Sequence, residues 1–146
     1  MKIWMQNLQE HTPLDLRRIR REVRKILAEL AVPDAELSIL FVGDEQIRDL
    51  NRRYLNRDKA TNVLAFPMQE GEFSGLHPSL LGDLVISVEA AKRQSNRFGL
   101  NQMGTITLLI IHGILHLLGY EHERSRKQAQ EMALKQKEVL RKVLRK

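Results

Sequence analysis

The chain has 146 residues, of which 42% are apolar, 29% are charged and none is cysteine. This length fits one compact domain and excludes separate cofactor and substrate lobes, while the apolar content excludes a disordered chain. Without cysteine there are no disulfides, iron–sulfur clusters, thiolate zinc sites or cysteine nucleophiles, so any metal site uses histidine or carboxylate ligands. The longest apolar run, residues 105–118, contains two histidines, and no basic segment followed by an apolar run opens the sequence. We therefore expect a soluble cytoplasmic protein with no membrane partner.

The net charge of +6 is concentrated at the carboxyl end of the sequence. Residues 123–146 hold nine Lys or Arg against three Glu, and the preceding residues are neutral as a group. A basic tail on a neutral body is typical of a chain that binds a polyanion, either nucleic acid or an acidic membrane surface. It is equally typical of a solvated helix face, and charge alone does not separate the two interpretations.

The first half of the chain has the pattern of two helices and two strands. The run from Thr12 to Asp15 is typical of a helix start, with the Thr12 hydroxyl as cap and proline in the first turn. Apolar residues then recur every three or four positions. Four elements are expected here: a helix from Thr12 that ends before Pro33, a buried strand over Leu37–Val42, a short helix capped by Asp44, and a strand over Asn62–Phe66 that Pro67 stops.

The second half predicts one more strand and three helices. Residues 101–118 are apolar nearly all round, which indicates a helix buried in the core. In order, we expect a long loop over residues 68–82, a strand over Asp83–Val88, a helix over Glu89–Phe98 with Gly99 as its stop, the buried helix over Asn101–Leu118, and a basic amphipathic helix over residues 124–145. Mixed strands and helices around a central helix indicate a single α+β domain over residues 1–146.

Three of the five histidines lie within eleven residues, at His112, His116 and His122. His112 and His116 are four residues apart, so on a helix their rings lie one turn apart on the same side. Gly119 can end the helix in a left-handed turn that brings His122 back beside them. One histidine in a core helix is usually a hydrogen-bonded residue, but two unpaired imidazoles are costly to bury. Three neutral imidazoles with an open fourth position are the ligands of a catalytic zinc site, so we predict one bound Zn²⁺ rather than magnesium or calcium.

The residues around this trio differ from those of a zinc peptidase. The long zincin pattern His-Glu-x-x-His-x-x-Gly-x-x-His has its general base beside the first ligand, and that position is Gly113 here. Because the three predicted ligands are neutral, the ion keeps its +2 charge and should attract an anionic group such as a phosphodiester. Glu121 and Glu123 flank His122 and either assist the site, by accepting a proton or orienting an imidazole, or are plain surface carboxylates.

Residues 112–122 resemble the signature of the YbeY endoribonucleases, His-Gly-x-Leu-His-Leu-x-Gly-Tyr-Asp-His, with Glu121 in place of the aspartate. Two further segments come in the order that this family has. Thr61–Pro67 is similar to its Thr-(Asp/Asn)-Val-Leu-Ser-Phe-Pro segment, and Leu81–Ser87 is similar to its Leu-Gly-Asp-Ile-Val-Ile strand. The resemblance covers roughly residues 35–125.

The chain departs from the family pattern at a position that is proposed to act in RNA cleavage. The family often has an arginine directly after the aromatic residue that precedes the Thr61 segment, but here Leu55 follows Tyr54. Arg53 and Arg57 are the nearby candidates for stabilising the charge that develops on phosphorus.

The resemblance implies a fold, an activity and a set of partners. The fold is a small mixed sheet with one antiparallel strand, flanked by helices, with a buried metal-binding helix in a zincin-like arrangement. The activity is single-strand-specific cleavage of RNA in ribosomal RNA maturation, notably at the 3′ end of 16S RNA, together with ribosome quality control. The implied partners are ribosomal RNA and the small ribosomal subunit with its associated proteins, and no nucleotide cofactor is expected.

The leading hypothesis is therefore a zinc-dependent endoribonuclease with metal ligands His112, His116 and His122, assisted by Arg53 or Arg57 and by Glu121. The nucleophile is either a water activated by the metal or the 2′-hydroxyl of the substrate. Two alternatives stay open: a zinc peptidase or amidase with Glu121 or Glu123 as base, and a non-catalytic ribosome-assembly factor in which zinc only links the last two helices.

Overall fold

The computed structural model describes residues 2–68, 79–120 and 125–144. Strands and helices follow in the order β1 (Ile3–Asn7), α1 (Leu16–Glu29), β2 (Glu36–Val42), α2 (Asp44–Leu55), β3 (Val63–Pro67), β4 (Leu80–Ser87), α3 (Val88–Phe98), α4 (Gln102–Leu117) and α5 (Arg126–Val143). The strands form one sheet in the order β1-β2-β4-β3. The pairs β1–β2 and β2–β4 are parallel, and β3 is antiparallel to β4. This confirms the expected mixed sheet with one antiparallel strand.

The two faces of the sheet have cores of different size, because strand side chains alternate between faces. On one face, Ile39 and Phe41 of β2 and Leu84 and Ile86 of β4 join the main core, which α1 and α4 cover. On the other face, a small cluster lies beneath α2, and its buried members are Val42, Ile47, Leu64 and Val85. Most of the apolar burial that stabilises the domain therefore lies on the α4 face.

Helix α4 is the central element of the main core. Twelve of its sixteen residues are buried, and it packs against α3, α5, β3 and β4. The Asn101 side chain caps its first turn by accepting a hydrogen bond from the Gly104 amide at 2.7 Å. The sequence-based prediction of a buried helix over Asn101–Leu118 is confirmed. Within the described residues, no single helix is long and apolar enough to cross a bilayer; α3 and α4 qualify by composition only as a pair bent by 102°.

Two predicted helix caps were wrong, because the capping side chains make tertiary contacts instead. Asp15, not Thr12, caps α1: its carboxylate accepts from the Arg18 amide, while the Thr12 hydroxyl accepts from the side chain of Gln102. Asp44 is the first residue of α2 rather than its cap. Its carboxylate accepts from the Ser87 hydroxyl and binds Arg93, so α2 is attached to the start of α3.

The strand boundaries also differ from the predicted ones. Strand β1 was missed, because Ile3–Asn7 shows only two inward apolar residues and its pairing with β2 holds it in place. The predicted loop over 68–82 is shorter at its carboxyl end, since β4 begins at Leu80; residues 69–78 lie outside the described part.

Gly82 belongs to β4 with a φ of 141°, and a Cβ there would lie 2.2 Å from the Phe66 carbonyl oxygen. Only glycine permits this close pairing with β3.

Candidate metal centre

Helix α4 brings His112 and His116 together on one side of its last two turns. Their Nε2 atoms are 3.1 Å apart, and the ring centroids are 4.7 Å apart with the rings inclined by 74°. Both rings are half-buried, whereas their helical neighbours Ile111, Gly113 and Leu115 are buried. The four-residue spacing thus gives two imidazole nitrogens that point to one place at the edge of the core, as the sequence predicts.

The distance between the two Nε2 atoms fits a shared metal ion. Two imidazole nitrogens at the Zn–N distance of about 2.0–2.1 Å in tetrahedral geometry are about 3.3 Å apart. The observed 3.1 Å is close to that separation. Two lone pairs at this distance repel each other, so either one ring donates a hydrogen bond to the other or a cation lies between them, and zinc is a cation that takes imidazole donors.

A residue that the sequence analysis missed fixes the orientation of His112. Gln136, on α5, has its Oε1 atom 2.8 Å from His112 Nδ1. An amide oxygen accepts hydrogen bonds, so Nδ1 carries the proton and the lone pair of Nε2 is left for a ligand. A signal for Gln136 exists in the sequence: it lies four residues after Met132 and three before Val139, which makes it a polar residue on the buried side of α5.

The third predicted ligand, His122, lies outside the described residues, as do Glu121 and Glu123. The chain before them turns as expected. Gly119 has a φ of 99°, its amide donates to the His116 carbonyl, and the Tyr120 amide donates to the Leu115 carbonyl. These bonds end α4 in a left-handed turn at Gly119. Within residues 2–68, 79–120 and 125–144, no three His, Cys, Asp or Glu side chains come together, so the predicted third ligand stays a prediction.

Gly113 faces the sheet and not the histidine pair. A Cβ at this position would lie 2.7 Å from Leu84 Cδ2 and 3.3 Å from Val63 Cγ2. A glutamate there, as in the zincin pattern, would have its side chain forced into the contact between α4 and the strands. The close packing favours glycine at this position, and it leaves little room for a glutamate side chain.

The two candidate arginines lie on α2 and in the loop that follows it. Arg53 is exposed on α2, and its Nε is 3.1 Å from the Asp49 carboxylate. Arg57 is exposed in the loop after α2, and its backbone amide donates to the Asn51 carbonyl at 3.2 Å. The buried Asn51 side chain also donates to the Lys59 carbonyl at 3.0 Å and so holds this loop against α2. Helices α2 and α4 cover opposite faces of the sheet.

The fold is a small α+β domain with two paired histidines on its buried helix. Comparison with known proteins identifies the family to which it belongs. The model of the endoribonuclease YbeY family matches residues 4–144. The endoribonuclease YbeY of Geobacter metallireducens is 42% identical over 140 residues, covering 95% of this chain and 93% of that protein. The same enzyme of Syntrophus aciditrophicus is 46% identical over 125 residues, covering 86% of this chain and 78% of that protein. The chain belongs to the endoribonuclease YbeY family.

A solved structure confirms the fold independently. The solution structure of TM1509 from Thermotoga maritima matches 97% of this chain and 88% of its own chain, with a TM-score of 0.65 and 24% sequence identity. At this identity the similarity supports the architecture alone.

Proposed function

We propose that this protein is a zinc-dependent endoribonuclease that cuts single-stranded RNA and that His112, His116 and His122 hold the ion. The observation that carries the proposal is the pair of Nε2 atoms 3.1 Å apart, with the His112 ring oriented by Gln136. The relatives at 42% and 46% identity are named endoribonucleases, which supports RNA as the substrate.

The ligands of the proposed site favour an anionic substrate. Imidazoles bring no negative charge, so an ion held by three of them attracts a phosphate group. When bound, zinc supplies positive charge for the scissile phosphate and lowers the pKa of a water molecule to about 7. Gln136 keeps the His112 ring in its binding orientation through Nδ1, and Gly113 leaves no general base of the peptidase type beside it.

Of the two candidate arginines, the structure favours Arg57 for binding the phosphate. Arg53 is already paired with Asp49, which reduces its attraction for a second anion. Arg57 is exposed, and it has no ion pair within the described residues. We assign Arg57 the role of stabilising negative charge on the phosphate, and Glu121 the role of accepting a proton or orienting the His122 imidazole.

We place the activity in the cytoplasm, in maturation of the 3′ end of 16S ribosomal RNA and in ribosome quality control, with the small ribosomal subunit and its proteins as partners. These assignments rest on the resemblance of the three sequence segments 61–67, 81–87 and 112–122 to the family.

The test is a cleavage assay with end-labelled single-stranded RNA, the matching duplex and a peptide library, each with metal-loaded protein. We expect cuts within the single strand, little cleavage of the duplex and no peptide products. Ends that carry a 2′,3′-cyclic phosphate would identify the 2′-hydroxyl as nucleophile, and 5′-phosphate ends would identify water. Peptide cleavage with intact RNA would contradict the proposal, as would metal-loaded protein that cuts neither RNA nor peptide.

A further inference from the structure

Helices α1 and α5 carry the positive charge of the whole protein. Each has six Lys or Arg against two Glu, so each has an excess of four, while the entire chain has a net charge of +6. The remaining residues are therefore negative as a group. Two helices that are far apart in sequence account for more than all of the excess.

The fold places these two helices side by side. Both pack on α4 and they contact each other, and Lys142 of α5 lies 3.4 Å from Glu29 of α1. The apolar side of α1 is buried in the main core, as is that of α5. The outer sides of both helices therefore point away from α4, and together they form one continuous surface.

The outer sides carry cations with no carboxylate partner. On α1, Arg17, Arg21 and Arg24 recur at positions i, i+4 and i+7 and so share one side of the helix. On α5, Lys137 and Arg141 lie about three turns after Arg126 and on the same side as it. All six are exposed, and within the described residues none of the six makes an ion pair. We call these six residues the α1–α5 basic face.

Among the residues that the structure describes, the arginines of helix α2, unlike those of the α1–α5 basic face, form ion pairs. Its three arginines all pair with carboxylates: Arg48 with Asp58 at 2.9 Å, Arg52 with Asp49 at 2.6 Å, and Arg53 with the same Asp49 at 3.1 Å. An ordinary solvated face of this chain is thus balanced by acidic residues, and the α1–α5 basic face is not. Its charge is complementary to a polyanion.

The composition of the face indicates which form of RNA it fits. Neither α1 nor α5 contains an aromatic residue, so the face has no platform on which unpaired bases can stack, as single strands require. Double-helical RNA is bound through its phosphates and 2′-hydroxyl groups and needs no such platform.

We propose that the α1–α5 basic face binds double-helical RNA next to the single-stranded segment that the metal centre cuts. The inference rests on the proposed function, because it supposes an RNA substrate. The face and the centre use different sides of α5: Gln136, which contacts His112, is half-buried, while Lys137 and Arg141 are exposed. Docking of the duplex and cleavage can therefore be disturbed separately.

The experiment measures binding of the full chain to a blunt RNA duplex by fluorescence anisotropy over a range of salt concentrations. The variants are R21Q/R24Q on α1 and K137Q/R141Q on α5. The matched control, K92Q/R97Q, removes two exposed cations from α3. Glutamine keeps helix propensity, and thermal melts check that each variant is folded. Cleavage of a short single strand is measured on the same preparations.

We expect each double variant to bind the duplex about tenfold more weakly at moderate salt and to lower the slope of log Kd against log salt by about 2, because about one phosphate contact is lost per cation. The control should bind as the wild type does, and all variants should cut the short single strand at the wild-type rate. Wild-type duplex binding by both double variants would overturn the inference. An equal loss of duplex binding in the control, or an equal loss in single-strand cleavage by the double variants, would also overturn it. Failure of every preparation to cut RNA would instead count against the proposed function and leave the duplex measurement valid.

Discussion

The two faces of the sheet carry different kinds of candidate residue. On the α4 face, His112 and His116 project from a helix that the main core holds on several sides. On the other face, α2 covers a cluster of a few apolar residues, and Arg53 on this helix and Arg57 in the loop after it are exposed. Metal ligands must be held in fixed positions, whereas a flexible cation can move towards a phosphate. The thick core therefore suits the proposed metal centre, and the thin one suits the proposed substrate contacts.

The largest expected effect follows from removing a ligand on the α4 face. His116→Ala should lower the RNA cleavage rate by at least about 1000-fold, since even the outer hydrogen-bond partners of metal ligands are worth about 10- to 100-fold. Single-turnover kinetics on single-stranded RNA measures the loss. His11→Ala is the control, because His11 is exposed beside Glu89 at the ends of the parallel strands. Cleavage by His116→Ala at a rate near that of the control would contradict the proposed site.

On the α2 face, one arginine should matter more than the other. Arg57→Gln should lower kcat by about 100-fold, the usual cost of losing one group that stabilises transition-state charge. Arg53→Gln should have a much smaller effect, because Arg53 is engaged by Asp49. Steady-state kinetics of both variants, with a thermal melt of each, makes the comparison. An equal fall in kcat in the two variants, or no fall in either, would contradict the role of Arg57.

The hydrogen bond from Gln136 should be visible in metal affinity without any activity measurement. Gln136→Leu leaves His112 Nδ1 without its acceptor, so zinc should bind about 10- to 100-fold more weakly. Competition with a chromophoric chelator measures the affinity. Gln128→Leu, at an exposed position of the same helix, serves as the control. Unchanged affinity in Gln136→Leu would show that the bond does not orient the ring.

The packing of α4 against the strands should be sensitive to a single methyl group. In Gly113→Ala the new Cβ would lie 2.7 Å from Leu84 Cδ2. Overpacking lowers the stability of the folded state by about 1–3 kcal/mol, and the better helix propensity of alanine offsets about 1 kcal/mol of this loss. The free energy of unfolding in urea should therefore fall by about 1 kcal/mol. A variant more stable than the wild type would show that Leu84 moves aside freely.

The smallest effect concerns the attachment of α2 to α3. The hydrogen bond from Arg93 holds the pKa of Asp44 below its usual value of 3.8. A depressed pKa in the folded state contributes stability at neutral pH that is lost as the pH falls below the ordinary value and through the folded one. Arg93→Gln should cost about 0.5 kcal/mol at neutral pH, a typical value for an exposed pair, and nothing in strong acid. Thermal melts of the wild type and the variant across this pH range measure the loss of stability. Arg97→Gln on the same helix is the control, and its stability difference from the wild type should not change with pH. A stability loss in Arg93→Gln that is the same at every pH would contradict the link to the Asp44 pKa.

The sequence predicts the α4 face better than the α2 face, for physical reasons. The buried helix follows from an unbroken apolar run, the histidine pair from a four-residue spacing, and the turn from Gly119 with its φ of 99°. Each of these signals is local. By contrast, strand β1 depends on pairing with β2, which is distant in sequence.

Side-chain partners across the fold were also beyond local patterns. Asp44 matches the pattern of a cap, but its carboxylate binds Ser87 and Arg93, which are more than forty residues away. The contact of Gln136 with His112 joins two helices in the same way. Which face of the sheet α2 and α4 each cover is likewise not encoded by any motif.

Whether the protein cuts RNA with a bound zinc ion is decided by metal analysis of protein purified without added metal, combined with a cleavage assay under chelation. We expect about one zinc per chain, loss of single-strand cleavage when a chelator removes the zinc, and recovery when zinc is restored. Full cleavage by protein that has been stripped of metal would contradict this expectation.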